Sequence, residues 1–392
     1  MRSLDEFATA KLRELERNSL RRALVDTTRV TGIWMLRNGR RLLSFSCNDY
    51  LNLTHHPAVK EAAIEAVRAY GVGAGASRFV TGNHPLFGEL ERRLAAFKDA
   101  QACCVFGSGY LANLGIIPAL VGANDLVLID ELSHACLWTG ARLSRAVGVP
   151  FRHADASHVE ELLAERRRDH ERALIVTDGV FSMDGDIAPL PALAETAERH
   201  DAWLMSDDAH GLGVIGGGRG SNFANATQAD VPLQMGTLSK ALGAYGGYLC
   251  ASTAVIDLIR NRARTAIYST GLPPAIVAAA IAALDLIQRE PLYAALPLEK
   301  AKAFARAAGL PEPASPIVPI VLGEAEAALK ASTLLEEYGF LVTAIRPPTV
   351  PRGTARLRLT FTAQHPDDEV ARLAEVVRSE VLAGAASAIA AQ

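Results

Sequence analysis

Apolar residues recur along most of the chain in short runs, and the spacing of those runs changes from one part to the next. Over residues 4–25, Leu4, Phe7, Leu12 and Leu15 fall at helical spacing among many charges. That pattern predicts an amphipathic helix lying against a body it does not belong to. Short strands are expected at Ile33–Arg37 and Arg41–Ser44. From Pro57 the texture becomes helical, Gly71, Gly73, Gly75 and Gly82 mark a flexible loop, and a further helix is expected from Pro85 to Lys98. Six apolar runs then alternate with helical segments: Ala102–Phe106, Leu126–Asp130, Ala173–Asp178, Trp203–Asp207, Pro232–Met235 and Gly247–Ala251. Runs apolar on both faces and separated by helices argue for an α/β domain around a mainly parallel sheet. Most of them end in small or polar residues, and such strand ends are where these sheets bind ligands.

An alanine-rich helix at 274–289 leads into Pro291, Pro297, Pro311, Pro313, Pro316 and Pro319, a cluster that marks a boundary. Beyond it the pattern predicts strands at Ile317–Val321, Leu341–Ala344 and Arg356–Phe361, with helices at Glu324–Tyr338 and Asp367–Leu382. Three blocks follow: 1–56, a helix and short strands; 57–289, a large α/β domain; and 290–392, a small α+β domain. The tail Ala383–Gln392 is alanine-rich and is expected to fray.

Composition narrows the function. The chain has 392 residues, 49% of them apolar and 21% charged, with a formal net charge of −3. That balance offers no basic field for nucleic acid or anionic lipid. Arg166-Arg167-Arg168 sits beside Glu160, Glu161, Glu165 and Asp169 and reads as a solvated helix face. The longest apolar stretch, Leu272–Ile287, opens on two prolines and contains Asp285, so it falls short of a membrane span. The first residues carry no charged-then-apolar secretion signal. Cys47, Cys103, Cys104, Cys136 and Cys250 lack metal-ligand spacing and are expected as buried free thiols. A cytoplasmic chain is expected.

Candidate chemistry gathers at the strand ends. Gly107-Ser108-Gly109-Tyr110-Leu111-Ala112 fits a dinucleotide fingerprint, with Asp130 about twenty residues on. By itself that would suggest an NAD-dependent oxidoreductase. The motif, however, lies a quarter of the way into the chain and leaves the other strand ends unexplained. A glycine turn opening a helix offers N–H groups to a phosphate in either case. Thr237-Leu238-Ser239-Lys240 follows another run and suits a Schiff-base lysine with hydroxyls beside it, although a loop lysine on the surface has the same local look. Asp207 ends the Trp203–Asp207 run, where a carboxylate could face a ring nitrogen and His210 could reach a ring oxygen. Asp207 and Asp208 are adjacent, and burying both requires a partner for each. His134, after Asp130, could lie flat on an aromatic ring, and Ser182 sits in the tight turn after Asp178. Together they point to a phosphate-bearing aromatic cofactor.

These segments, in this order, resemble the α-oxoamine synthase family within the fold-type I pyridoxal-phosphate enzymes. The resemblance runs from Asn48-Asp49-Tyr50-Leu51 to Arg356-Leu357-Arg358. It implies a large domain with a mainly parallel seven-stranded sheet, a small C-terminal domain, pyridoxal 5'-phosphate as cofactor, acyltransferase chemistry and a homodimer. Residues 344–360, with 178–190 and 267–274, look most like members that join L-alanine to a pimeloyl thioester, on acyl carrier protein or coenzyme A, in biotin formation. Relatives using other donors, such as glycine C-acetyltransferase, 5-aminolevulinate synthase and serine palmitoyltransferase, are the nearest alternatives. The roles implied are Schiff-base lysine and proton-transfer base for Lys240, ring-nitrogen partner for Asp207, and the ring-oxygen side for His210 and Ser182. His134 would stack on the ring and contact substrate; Gly109, Tyr110 and Thr237 would lie near the phosphate. Arg21, Asn48, Thr349 and Arg358 match substrate positions, Arg358 for the amino-acid carboxylate. Arg356 and Arg358 alternate on one strand, so one is expected to face inward and the other water.

Overall fold

The computed structural model describes residues 2–383, so most of the alanine-rich tail lies outside the described residues. The described residues form two compact units, one of residues 48–298 and one of residues 2–47 with 299–383.

The 48–298 unit is built on seven strands: β1 (Ala102–Phe106), β2 (Leu126–Asp130), β3 (Val147–Phe151), β4 (Ala173–Asp178), β5 (Trp203–Asp207), β6 (Leu233–Thr237) and β7 (Gly247–Ala251). Their order is β1-β7-β6-β5-β4-β2-β3. All neighbours run parallel except β7, which is antiparallel to both β1 and β6. Side chains alternate across the sheet. Val127 and Ile129 pack with Ile116, Ile117 and Leu137 from helices Gly109–Leu120 and Ala135–Ser144. Leu126 and Leu128 pack on the opposite face with Leu162, Leu163 and Leu193 from helices Ala156–Arg166 and Leu190–Arg199. Both faces are therefore dry, which explains why the strands read as unbroken apolar runs. Because β7 alone runs backwards, the C-terminal ends of the other six strands share one edge.

Strand β3 was not expected from the sequence. It is an edge strand containing Gly148 and Pro150, mostly exposed, and so lacks the apolar run that marks its neighbours. The Pro291–Ala308 stretch is a helix with Pro297 inside it, where the proline cluster alone suggested only a boundary. Among the described residues no helix is long and apolar enough to cross a membrane.

In the other unit, Thr27–Thr31, Trp34–Arg37 and Arg40–Ser44 form an antiparallel meander, and Phe340–Leu341 joins it parallel to Arg40–Ser44. A second sheet places Ala355–Thr360 between Ile317–Gly323 and Thr343–Ile345. Phe45, Phe304, Phe340, Leu357 and Phe361 share the core beneath them. The first helix is Arg2–Arg17, shorter than the pattern suggested, and none of its residues is buried. The chain leaves the helix through Asn18 and a left-handed Ser19 (φ 54°).

Candidate active site

Five strand ends meet around one cavity of about 230 Å³. Gly109 and Tyr110 follow β1, His134 follows β2, Ser182 follows β4, Asp207 and His210 end and follow β5, and Thr237 and Lys240 end and follow β6; all of them line it. The cross-strand register explains part of this convergence. Gly247 of β7 pairs with both Phe106 and Thr237. A Cβ at Gly247 would come within 2.6 Å of the Ser108 carbonyl, and one at Gly109 would press on Met235 and Thr237. Glycine at both places lets the start of helix Gly109–Leu120 approach the end of β6. The Ser108 hydroxyl caps that helix by accepting from the Leu111 N–H at 3.2 Å. The Thr237 hydroxyl donates to the Gly246 carbonyl at 2.7 Å and lies 2.8 Å from the Ser239 hydroxyl. One end of the cavity is thus a helix N-terminus beside hydroxyls, a suitable seat for a phosphate.

The adjacent aspartates divide between two environments. Asp208 points into the protein, where the fully buried Lys98 ammonium donates to it at 3.1 Å and the Ser221 N–H at 3.0 Å. Gly179, Gly211 and Gly220 wall that pocket, since a Cβ on any of them would collide with the Asp208 carboxylate. Asp207 faces the cavity instead. Its Oδ2 accepts from Asn113 Nδ2 at 2.7 Å and its Oδ1 from the Ala209 N–H at 3.0 Å.

His210 is buried, and its Nδ1 lies 2.7 Å from the Tyr50 hydroxyl, itself fully buried. His134 caps helix Ala135–Ser144: its Nδ1 accepts from the Cys136 N–H at 3.2 Å and lies 2.7 Å from Cys136 Sγ. Desolvation pulls its pKa below the ordinary histidine value, the Asp207 carboxylate opposes that, and the Lys240 ammonium adds to it. Asp178 also lines the cavity. It accepts from the His134 main-chain N–H at 3.2 Å, and burial, then the nearby Asp207 charge, push its pKa well above the carboxylate range.

Tyr50, Asn113 and Cys136 are site residues that the sequence did not single out. Asn113 lies one helical turn after Gly109, and Cys136 two residues after His134. Those spacings are the only hints, because each acquires meaning through a partner distant in sequence. Asp130 stands apart from the cavity lining: it accepts from the Ala154 N–H at 2.8 Å and the Leu132 N–H at 2.9 Å, and lies 3.0 Å from His153 Nδ1. A dinucleotide site would need that carboxylate for a ribose, and here it is engaged.

The remaining sequence candidates lie outside the cavity lining. Asn48 opens a turn, its carbonyl accepting from the Tyr50 N–H. Arg21 pairs with Glu16 at 2.6 Å, whereas its neighbour Arg22 donates to the Thr349 hydroxyl at 3.4 Å. Arg356 and Arg358 are both buried, 5% and 6% exposed, so the expected division between inside and water does not occur. Residues two apart on a strand share a face, and this strand is central in its sheet.

The class I and II aminotransferase family matches residues 40–377. The 8-amino-7-oxononanoate synthase of Methylocella silvestris is 67% identical over 88% of this chain and 99% of its own length. That of Beijerinckia indica is 62% identical over 96% and 98%. A serine palmitoyltransferase from S. paucimobilis, solved holding a PLP–myriocin aldimine, superposes with a TM-score of 0.90 at 27% identity, covering 100% of this chain and 99% of that one. The 8-amino-7-oxononanoate synthase of Francisella tularensis superposes with a TM-score of 0.75 at 27% identity over 88% and 98%. A fold-type I body carrying this strand-end cluster, with such identity along nearly its full length, places the chain in the class I and II aminotransferase family, among the 8-amino-7-oxononanoate synthases.

Proposed function

We propose that the cavity holds pyridoxal 5'-phosphate and that the chain condenses L-alanine with a pimeloyl thioester, releasing carbon dioxide and the carrier thiol to give 8-amino-7-oxononanoate for biotin formation. The observation that carries this is the convergence of a lysine amine, a carboxylate and two imidazoles on one cavity whose far end is a capped helix start beside hydroxyls. That donor set suits a flat, phosphorylated pyridine aldehyde. When bound, such a cofactor supplies an aldehyde that captures amines and a ring that stabilises a carbanion at the amino acid's Cα.

The chain's residues supply the rest. Lys240 would provide the amine that holds the cofactor, and its free amine would remove the substrate's Cα proton and later return one. Asp207, held by Asn113, keeps a proton on the ring nitrogen, and His210 and Ser182 hold the ring-oxygen side. His134 would stack on the ring and donate to the acyl oxygen as negative charge develops there. Ser108, Gly109, Tyr110 and Thr237 receive the phosphate. Arg358 takes the alanine carboxylate, and Arg21, Asn48 and Thr349 take the other substrate contacts that the resemblance assigns them. The acyl donor is carried on acyl carrier protein or coenzyme A, and the chain works as a cytoplasmic homodimer.

An absorption spectrum of the purified protein, before and after L-alanine, tests the cofactor and the donor together. Thiol release from pimeloyl thioesters is then compared with alanine, glycine and serine. Expected are a coloured protein, a spectral change with alanine and alanine-dependent thiol release. Colourless protein that binds a nicotinamide nucleotide, or glycine outperforming alanine, would overturn the proposal.

A further inference from the structure

We propose that Cys136 and Asn113 are positioning residues that hold His134 as a neutral imidazole with its single ring proton on Nε2. The proposal rests on the function above, in which His134 meets the reacting groups as a hydrogen-bond donor.

One group at this site has no choice of role. A backbone N–H can only donate, and that of Cys136 points at His134 Nδ1 from 3.2 Å. Nδ1 must therefore present its lone pair. The Cys136 sulfur lies 2.7 Å from the same nitrogen, so its S–H is the second donor. What aims that S–H is Asn113, whose amide nitrogen sits 2.7 Å from Asp207 Oδ2 and 3.1 Å from Cys136 Sγ. Reversing this amide would set its oxygen against the Asp207 carboxylate, so the NH₂ group faces both. One hydrogen goes to Asp207 and the other to sulfur, leaving the thiol's own hydrogen for Nδ1. The chain of donors runs from Asn113 outward: to Asp207 on one side, and through Cys136 to His134 on the other.

Burial, then the Asp207 charge, raises the Cys136 thiol well above its ordinary pKa, so it stays a donor. Protonating Nδ1 would set N–H against N–H and displace the S–H. The charged groups facing His134 are Asp207, which favours an imidazolium, and Lys240, which disfavours it. The Asp178 carboxyl is occupied by the His134 main-chain N–H. Of the two ring nitrogens only Nε2 then carries hydrogen, and Lys240 is left as the group that accepts the substrate proton.

Holoenzyme labelled with ¹⁵N-histidine decides the matter. The two ring nitrogens of His134, assigned with a His134→Gln variant, are followed against pH. The expected spectrum shows Nδ1 bare and Nε2 protonated from about pH 6 upward, with a midpoint below the ordinary histidine value. In Cys136→Ala the midpoint rises by about one pH unit, and the acid limb of the kcat/KM profile moves with it. Cys136→Ser, which keeps a donor, brings both back toward wild type. A wild-type Nδ1 that carries the proton overturns the proposal, as does a Cys136→Ala midpoint identical to wild type. The wild-type spectrum settles the tautomer even where a variant fails to fold. Failure of the alanine reaction would sink the functional reading and leave the ring-nitrogen result standing.

Discussion

Two histidines at neighbouring strand ends show what the cavity does to chemistry. His134 follows β2 and lines the cavity; His153 follows β3, next to it in the sheet. His153 has a carboxylate on each ring nitrogen, Asp130 at 3.0 Å and Asp186 at 2.7 Å. Burial alone would lower it, but hydrogen bonds to the two aspartates outweigh that and lift its pKa to about 10. His134 has Cys136 against Nδ1, and burial prevails over the attraction of Asp207, so its pKa falls. The same side chain, one strand away, is held toward the charged form in one place and toward the neutral form in the other. The difference is whether a carboxylate touches the ring. His153 ties Asp130 to Asp186 and so anchors the turn that carries Ser182, whereas His134 lines the cavity.

The largest expected effect comes from removing the cation that helps keep His134 neutral. Lys240→Ala should lower turnover by about 10⁴-fold or more, since in the proposed function this lysine is both the covalent anchor and the base. Loss of the Schiff-base absorption band and of thiol release are the readouts. Retention of the band with full turnover would sink the assignment of this lysine.

Next is Asp207→Asn, expected to reduce kcat by about 10²–10³-fold, the scale for one preorganised charge-stabilising partner. Asp130→Asn is its control at the other site: thermal stability should fall while turnover with alanine stays within a few-fold. If both substitutions depress turnover alike, the division between reactive cavity and structural clamp is wrong.

The clamp itself titrates. The folded pKa of His153 lies above its unfolded value near 6.5, so its contribution to stability is fully present below about pH 6.5 and is lost as pH rises toward about 10. Allowing for solvent screening of a partly exposed pair, that contribution is about 1–2 kcal/mol. His153→Gln should therefore lower the urea midpoint clearly at pH 6 and much less at pH 10. An equal loss at both ends would show that shape, not charge, holds the turn.

How much of this could be read from residues alone depended on where each signal resides. Strands β1, β2, β4, β5 and β7 match the apolar runs because both of their faces are buried, which makes burial a local pattern. The polar residues ending those runs were legible for the same reason, and Lys240, Asp207, His210, His134 and Thr237 all line the cavity. Strand β3 was not legible, since an exposed edge needs no apolar run. Asn113 and Cys136 were missed because an amide in a helix and a thiol after a histidine look like ordinary packing until the fold brings Asp207 beside them. Arg356 and Arg358 failed for a different reason. Their spacing of two puts them on one face, and a central strand can bury that face when its polar groups find partners.

Tyr50 is the smallest test and bears on the cavity's other imidazole. Its hydroxyl lies 2.7 Å from His210 Nδ1, and both residues are buried. This contact is the counterpart at His210 of the one proposed between Cys136 and His134, but through a group that can either donate or accept. Tyr50→Phe keeps the ring and the packing and removes only that oxygen. The expected loss is about 1 kcal/mol, or roughly fivefold, in kcat/KM. It should be accompanied by weaker pyridoxal phosphate retention on dilution, because His210 is assigned to the ring-oxygen side. Thermal stability should change little, since no charge is stranded. A drop in stability with unchanged cofactor affinity would mean that the pair is part of the core and that His210 reaches its place without it.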